Sequence, residues 1–242
     1  ESAFVAQSPD GVLVIDEVQR EPGLLLAIKA SIDKDRRPGR FLLTGSADLL
    51  TVKGRSDSLA GRAATLHLRG LSQGELAGQP EDFVAWLLGD IPLQLFATKW
   101  TRADYVAAMA QGGYPDVRGL SRRLRHAWLD SYLDRVLERD ATLLPSGGQS
   151  RRLRSVLSLL AANQAGELVK ARIADGAEIQ RNTITAYLDV LRSVYLIDEL
   201  PPWTANLTRR EIGRPKAFLS DSALALRLNR QTEQQLLPLT SD

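Results

Sequence analysis

Asp16 and Glu17 stand side by side at the end of the apolar run VLVIDEV. Two carboxylates so placed have a definite chemistry open to them. The first can hold a divalent cation, directly or through water, and the second can orient and polarise an attacking water. A second apolar run, FLLTGS, ends on the hydroxyls of Thr44 and Ser46, which can hydrogen-bond a phosphate. Further on, SLAGR puts Arg62 on a polar loop, as a cation able to meet a phosphate. The same residues also fit a plainer role, acids that close a strand at a solvated turn, and the dipeptide alone does not choose between the two.

The elements around these residues are what must bring them together. VLVIDEV reads as a strand buried on both faces. GLLLAIKASID places Leu24, Leu25, Ile28 and Ile32 on one helical face, and Pro38 and Gly39 break that helix. FLLTGS reads as a second buried strand. Strand, helix and strand with short connections make a βαβ unit with parallel strands. Both strands then end at one edge, where Asp16, Glu17, Thr44 and Ser46 converge. TVKGRSDSLAGR reads as a loop, and AATLHLRGLS, with Leu66 and Leu68 alternating against His67 and Arg69, as a third strand.

Composition narrows the chemistry. The 242 residues contain no cysteine, which excludes disulfides, thiolate metal sites and cysteine nucleophiles. His67 and His126 are the only histidines, and they lack zinc-site spacing. No apolar run reaches the roughly 20 residues of a membrane-spanning helix and no signal peptide is visible, so a cytoplasmic protein is expected. Met109 is the only methionine and the chain opens on ESAFVAQSPDG; a fragment of a longer protein is expected. The net charge of +2 is unevenly spread: residues 118–154 hold nine arginines against four acids, an array that either faces phosphates or forms a solvated face with internal ion pairs.

The remainder reads as mostly helical. TRADYVAAMAQGG opens on a capping box of Thr101 and Asp104 and stops at Gly112–Gly113. RRLRHAWLDSYLDRVLERDATLL predicts a long helix with Trp128, Leu129, Tyr132, Leu133, Val136 and Leu137 inward. PSGGQS is the clearest linker. Three short helices and an extended piece after it have the layout of a winged helix–turn–helix. Its recognition helix would present Arg181, Asn182, Thr183 and Thr185, but residues 155–203 hold four basic and six acidic residues, a poor footprint for DNA. Trp203 is expected to be a packing anchor, and Asp221, in SDSAL, a helix cap.

An apolar strand ending in Asp-Glu is the Walker B pattern. Together with FLLTGSADLL, SLAGR, GGYPD, SYLDRVLERD, LLAANQAGELV, TITAYLDVLRSVYLIDELPPWTANLTRR and RPKAFLSDSALALRL, it resembles the prokaryotic AAA-type ATP-binding proteins, relatives of the archaeal ATPases, that carry a C-terminal domain of unknown function. The similarity runs through nearly the whole chain. It implies an α/β fold in four parts: part of a P-loop ATPase sheet over 1–71, a helical lid-like region over 72–145, a winged helix over 146–203, and the start of an α/β C-terminal domain over 204–242.

The resemblance also implies roles. Asp16 would hold Mg²⁺, Glu17 would activate water, Thr44 or Ser46 would be the sensor 1 residue reading the γ-phosphate of ATP, and Arg62 would be the arginine of the LAGR motif. One departure is large. No Gly-Lys-Ser or Gly-Lys-Thr occurs in the chain, so the Gly-rich loop that cradles the phosphates is absent from it. In such ATPases the strand leading to that loop lies between the 41–46 strand and the 64–69 strand. The chain alone is therefore expected to be inactive, with a parent that hydrolyses ATP and couples it to an unknown protein partner. A homo-oligomer is a further expectation, DNA ranks below protein as a partner, and no membrane is involved. The competing reading is a non-catalytic winged-helix module, binding nucleic acid or protein, with a decayed ATPase half.

Overall fold

The computed structural model describes residues 1–7, 10–46, 59, 61–79, 81–89, 98–144 and 150–238. The expected loop at 51–62 and the linker at 145–150 lie largely outside them. Glu1–His67 with Ser193–Tyr195 form one compact unit, and Leu68–Arg192 with Leu196–Asp242 form another.

In the first unit, β1 (Leu13–Ile15) and β2 (Phe41–Leu43) are joined through helix α1 (Gly23–Lys34). The strands pair in parallel, Leu13 opposite Phe41, Val14 opposite Leu42 and Ile15 opposite Leu43. Pairing extends past both ends, with Leu13 N–H donating to the Arg40 carbonyl at 2.8 Å and Thr44 N–H to the Ile15 carbonyl at 2.9 Å. Ile15, Val18, Leu25 and Ile28 are buried against Val5 and Leu59, with Leu13, Phe41 and Leu43 packed on them. Full burial of such an aliphatic side chain stabilises by about 1.5–3 kcal/mol, so α1 is held by its Leu25/Ile28 stripe.

Two expectations fail here. The strands are covered on one face only: Val12, Val14 and Leu42 are exposed. An apolar run records that both faces are apolar; it does not supply the layer that would cover the second. The third strand at 64–69 does not form either. Those residues carry no strand pairing, and Leu66 and Leu68 are 88% and 97% exposed. Alternation makes a strand only where a neighbour offers backbone partners.

The second unit is largely helical. Helix α2 (Arg102–Gln111) begins at the expected capping box, with Thr101 accepting from Asp104 N–H and Asp104 accepting from Thr101 N–H, and ends at Gly112 with φ +69°. Helix α3 (Arg122–Asp140) buries Leu129, Leu133 and Leu137. Trp128 and Tyr132, one turn apart on it, are half-buried and stacked, centroids 5.2 Å apart, with Tyr114 against both.

From residue 150 the order is α4 (Ser150–Ala162), β3 (Gly166–Glu167), α5 (Lys170–Gly176), α6 (Ile184–Ser193), β4 (Ile197–Leu200), a short helix (Leu207–Ile212), β5 (Lys216–Leu219), α7 (Ser222–Leu228) and a last short helix (Glu233–Leu236). Leu153, Val156, Leu157 and Leu160 on α4, and Ile184, Leu188 and Leu191 on α6, repeat at helical spacing and are buried. The three strands form an antiparallel sheet in the order β3-β5-β4.

β5 therefore sits in the middle of this sheet, Ala217 opposite Gly166 on one side and Glu199 on the other. β5 lies within residues 204–242, which the resemblance implies as the start of a C-terminal domain; a boundary at 204 would part it from β3 and β4. α7 is tied back in turn: Arg227 forms a two-pronged ion pair with Asp130 of α3 at 2.7 and 2.6 Å, and the Ser222 hydroxyl donates to the Met109 carbonyl at 2.8 Å. Trp203 is another correction. It is 83% exposed rather than packed into a core.

Candidate functional site

β1 ends at Ile15 and the chain must turn at once to reach α1. Glu17 makes that turn with φ 52° and ψ 43°, in the left-handed region, ahead of the short 3₁₀ turn Val18–Arg20. A residue other than glycine there costs about 1–2 kcal/mol, and Val18, 1% exposed, anchors the turn in the core. The Val18 N–H also donates to the Thr44 carbonyl at 3.1 Å, fixing the end of β2 beside the turn.

The side chains meet on that frame. The Thr44 hydroxyl donates to Asp16 Oδ1, which also accepts the Glu17 N–H at 3.1 Å. The Gln19 amide donates both to Glu17 Oε2 and to the Ser46 hydroxyl, the latter at 3.2 Å. Asp16, Glu17, Thr44 and Ser46 thus lie at one strand edge as the βαβ reading requires, in two hydrogen-bonded sets. Gln19, which links Glu17 to Ser46, was missed. Its signal was weak: a polar residue two positions past the acids, inside a turn the sequence did not separate from the strand.

Arg62 is elsewhere. Its Nε donates to Asp33 Oδ1 at 2.8 Å. That hydrogen bond holds the Asp33 carboxyl below its ordinary range. Asp33 belongs to the last turn of α1, about 15 Å along the helix from the end that adjoins the acids. The conformation described does not bring Arg62 to Asp16 and Glu17.

The donor set suits one half of a nucleotide site. Carboxylate, hydroxyl and amide oxygens are hard ligands of the kind Mg²⁺ takes, and the buried Gln19 Oε1 has no hydrogen-bond partner among the described residues. No cluster of three or more His, Cys, Asp or Glu able to hold a metal occurs among the described residues. The other half, a Gly-rich phosphate cradle, is not found in these 242 residues.

Residues 102–235 match the family described as a domain of unknown function, DUF8612. The chain belongs to that family. Residues 1–77 match an AAA domain, so an AAA-type domain precedes the DUF8612 region. The fold is mixed α/β with the AAA-like part at its N-terminal end. Two similar proteins are uncharacterised: Mb2031c of Mycobacterium bovis and Rv2008c of Mycobacterium tuberculosis. Each is 29% identical over 218 residues, which is 90% of this chain and 44% of the relative. The chain thus spans less than half the length of these curated relatives. No solved structure matches. No helix among the described residues is long and apolar enough to cross a membrane.

Proposed function

We propose that the protein binds ATP with Mg²⁺ at the edge where β1 and β2 end and hydrolyses it, coupling the reaction to a protein partner. The observation that carries this reading is the joining of Asp16 to Thr44, and of Glu17 through Gln19 to Ser46, within residues that match an AAA domain. Asp16 and Thr44 would hold the ion, which when bound neutralises charge on the phosphates. Glu17 takes the proton of the attacking water on its carboxylate, and Gln19 keeps that carboxylate turned toward Ser46. Ser46 reads the terminal phosphate. Arg62 serves as a phosphate contact only if it leaves Asp33, so its role depends on a rearrangement of the loop that carries it.

Titration calorimetry tests the reading in two arms. The full-length protein is expected to bind ATP in the micromolar range with Mg²⁺ and to lose most of that affinity in excess chelator. The 242-residue chain, lacking Gly-Lys-Ser or Gly-Lys-Thr, is expected to bind none measurably. A full-length protein that ignores ATP at millimolar concentration would leave the competing reading, a binding module with a decayed ATPase half.

We also infer that residues 150–219 are a winged helix. The succession α4, β3, α5, α6, β4, β5 and the sheet order β3-β5-β4 support this, with α6 as the recognition helix and residues 201–215, which include the short helix Leu207–Ile212, in the place of the wing.

A further inference from the structure

The segment between β4 and β5 concentrates charge and exposed apolar surface. Trp203 is 83% exposed, although so large a ring ordinarily gains by burial. The Arg210 guanidinium lies over that ring, 5.7 Å from its centroid, and donates to the Thr204 carbonyl at 2.8 Å. Cation and indole are therefore held together on one side of the segment. Ile212 is 77% exposed and Leu200 58%. Arg214 pairs with Glu167 only at 3.9 Å, both largely exposed, a contact that costs little to give up. Lys216 is exposed where β5 begins. In sequence, residues 201–216 hold Arg209, Arg210, Arg214 and Lys216 against the single acid Glu211.

The recognition helix and the turn that leads into it offer less. Arg181 is engaged by Asp175 at 3.0 and 2.6 Å, and Arg192 by Asp189 and by Glu199. A charge count stopped at 203 finds an acidic module; the cations begin just after it.

We propose that this segment binds duplex nucleic acid, with Arg210, Arg214 and Lys216 on the phosphates and the Trp203 ring against the groove wall. The proposal rests on the winged-helix reading and is independent of the ATP reading. An exposed Trp–Arg pair is also the kind of anchor found in protein interfaces. The core of such an interface is depleted in charge, however, and four cations within sixteen residues favour a polyanion.

Fluorescence anisotropy with this chain, a labelled 30-base-pair duplex of mixed sequence and no nucleotide tests it, so that a failed ATP reading does not enter. Binding is expected in the micromolar range at low salt, with log K falling against log salt at a slope of about −3 for three phosphates. Trp203→Ala should weaken binding about tenfold. Arg214→Glu should weaken it at least as much and flatten the slope by about one. Glu211→Gln should tighten it about two- to threefold, a gain that misfolding cannot mimic. Lys34→Glu, exposed on α1 and outside the winged helix, should leave affinity within about twofold. No binding at 50 mM salt, or binding indifferent to Trp203, Arg214 and Glu211, overturns the proposal and turns the Trp203–Arg210 pair toward a protein partner.

Discussion

Asp221 Oδ2 accepts the backbone N–H of Gly113 at 2.7 Å, joining two segments 108 residues apart in the chain. The other carboxylate oxygen accepts Ala223 and Leu224 N–H at 2.8 and 3.1 Å, capping α7. Asp221 is only 7% exposed, the one buried charged side chain among the described residues. Three N–H donors offset its desolvation, and the end of α2 is thereby tied to the start of α7.

Removing that carboxylate should be costly. Asp221→Ala loses a helix cap and leaves buried N–H groups without an acceptor, together about 3 kcal/mol. Asp221→Asn keeps one acceptor and should lose less. Gly112→Ala should also destabilise, since φ is +69° there and a Cβ would lie 2.7 Å from Asp221 Oδ1. Part of that clash vanishes in the double variant, so the two losses should fall short of additive. Urea midpoints check this; an unchanged midpoint for Asp221→Ala would show the link to be dispensable.

Acid should unpick a second tie. The Arg227 guanidinium, hydrogen-bonded to Asp130, holds its carboxyl below the ordinary value of 3.8. A carboxyl lowered in the folded state contributes fully above its unfolded pKa. The contribution is lost as pH falls below about 3.8 toward the folded value. Both side chains are about a third exposed or more, so the pair supplies no more than about 1 kcal/mol. Asp130→Asn should lower stability by that amount at pH 7 and by almost nothing at pH 2. A constant difference across that range would assign the loss to packing rather than charge.

These residues also mark how far the sequence could be read. SDSAL announces a cap because Asp before a short apolar run satisfies free N–H groups, and that is local chemistry. The Gly113 partner of the same carboxylate lies 108 residues away and leaves no local trace. VLVI and FLLT gave two strands, and short connections made them parallel, so the convergence of Asp16 with Thr44 followed. What failed depended on neighbours: the cover expected over Val14 and Leu42, the pairing expected at Leu66 and Leu68, and the packing expected at Trp203. Hydrophobicity states what a side chain would gain by burial and does not name the surface that buries it.

The two acids should separate by phenotype in the full-length protein. Glu17→Gln keeps the hydrogen-bonding shape but cannot take a proton. Turnover should fall about 10²–10⁴-fold with ATP still bound. Asp16→Asn removes the charge that would face the ion and should weaken Mg²⁺-dependent ATP binding instead. Gln19→Ala frees Glu17 from Ser46 and is expected to lower turnover more than affinity. Parental turnover in Glu17→Gln would withdraw its role as base.

Stability should be uneven along the chain. The 118–203 region closes its apolar faces on one another: Leu133, Leu153, Leu188 and Leu191 are fully buried, and α3, α4 and α6 bury them within one unit. β1 and β2 are three residues each, pair only with one another among the described residues, and leave Val12, Val14 and Leu42 in water. A two-stranded sheet with one open face gains little from burial, and its ladder is within reach of solvent from the edges, so local opening is cheap. Native-state hydrogen exchange reads this residue by residue. The amides of Ile15 and Leu42 should exchange at least about a hundredfold faster than those of Leu133 and Leu191, a gap of some 2.7 kcal/mol in opening free energy. Adding denaturant should bring the helical amides together at one global unfolding energy while the strand amides continue to exchange below it. Equal protection at Ile15 and Leu133 would mean that the strand pair is covered in solution by something more than α1, and that the open face of Val14 and Leu42 is closed.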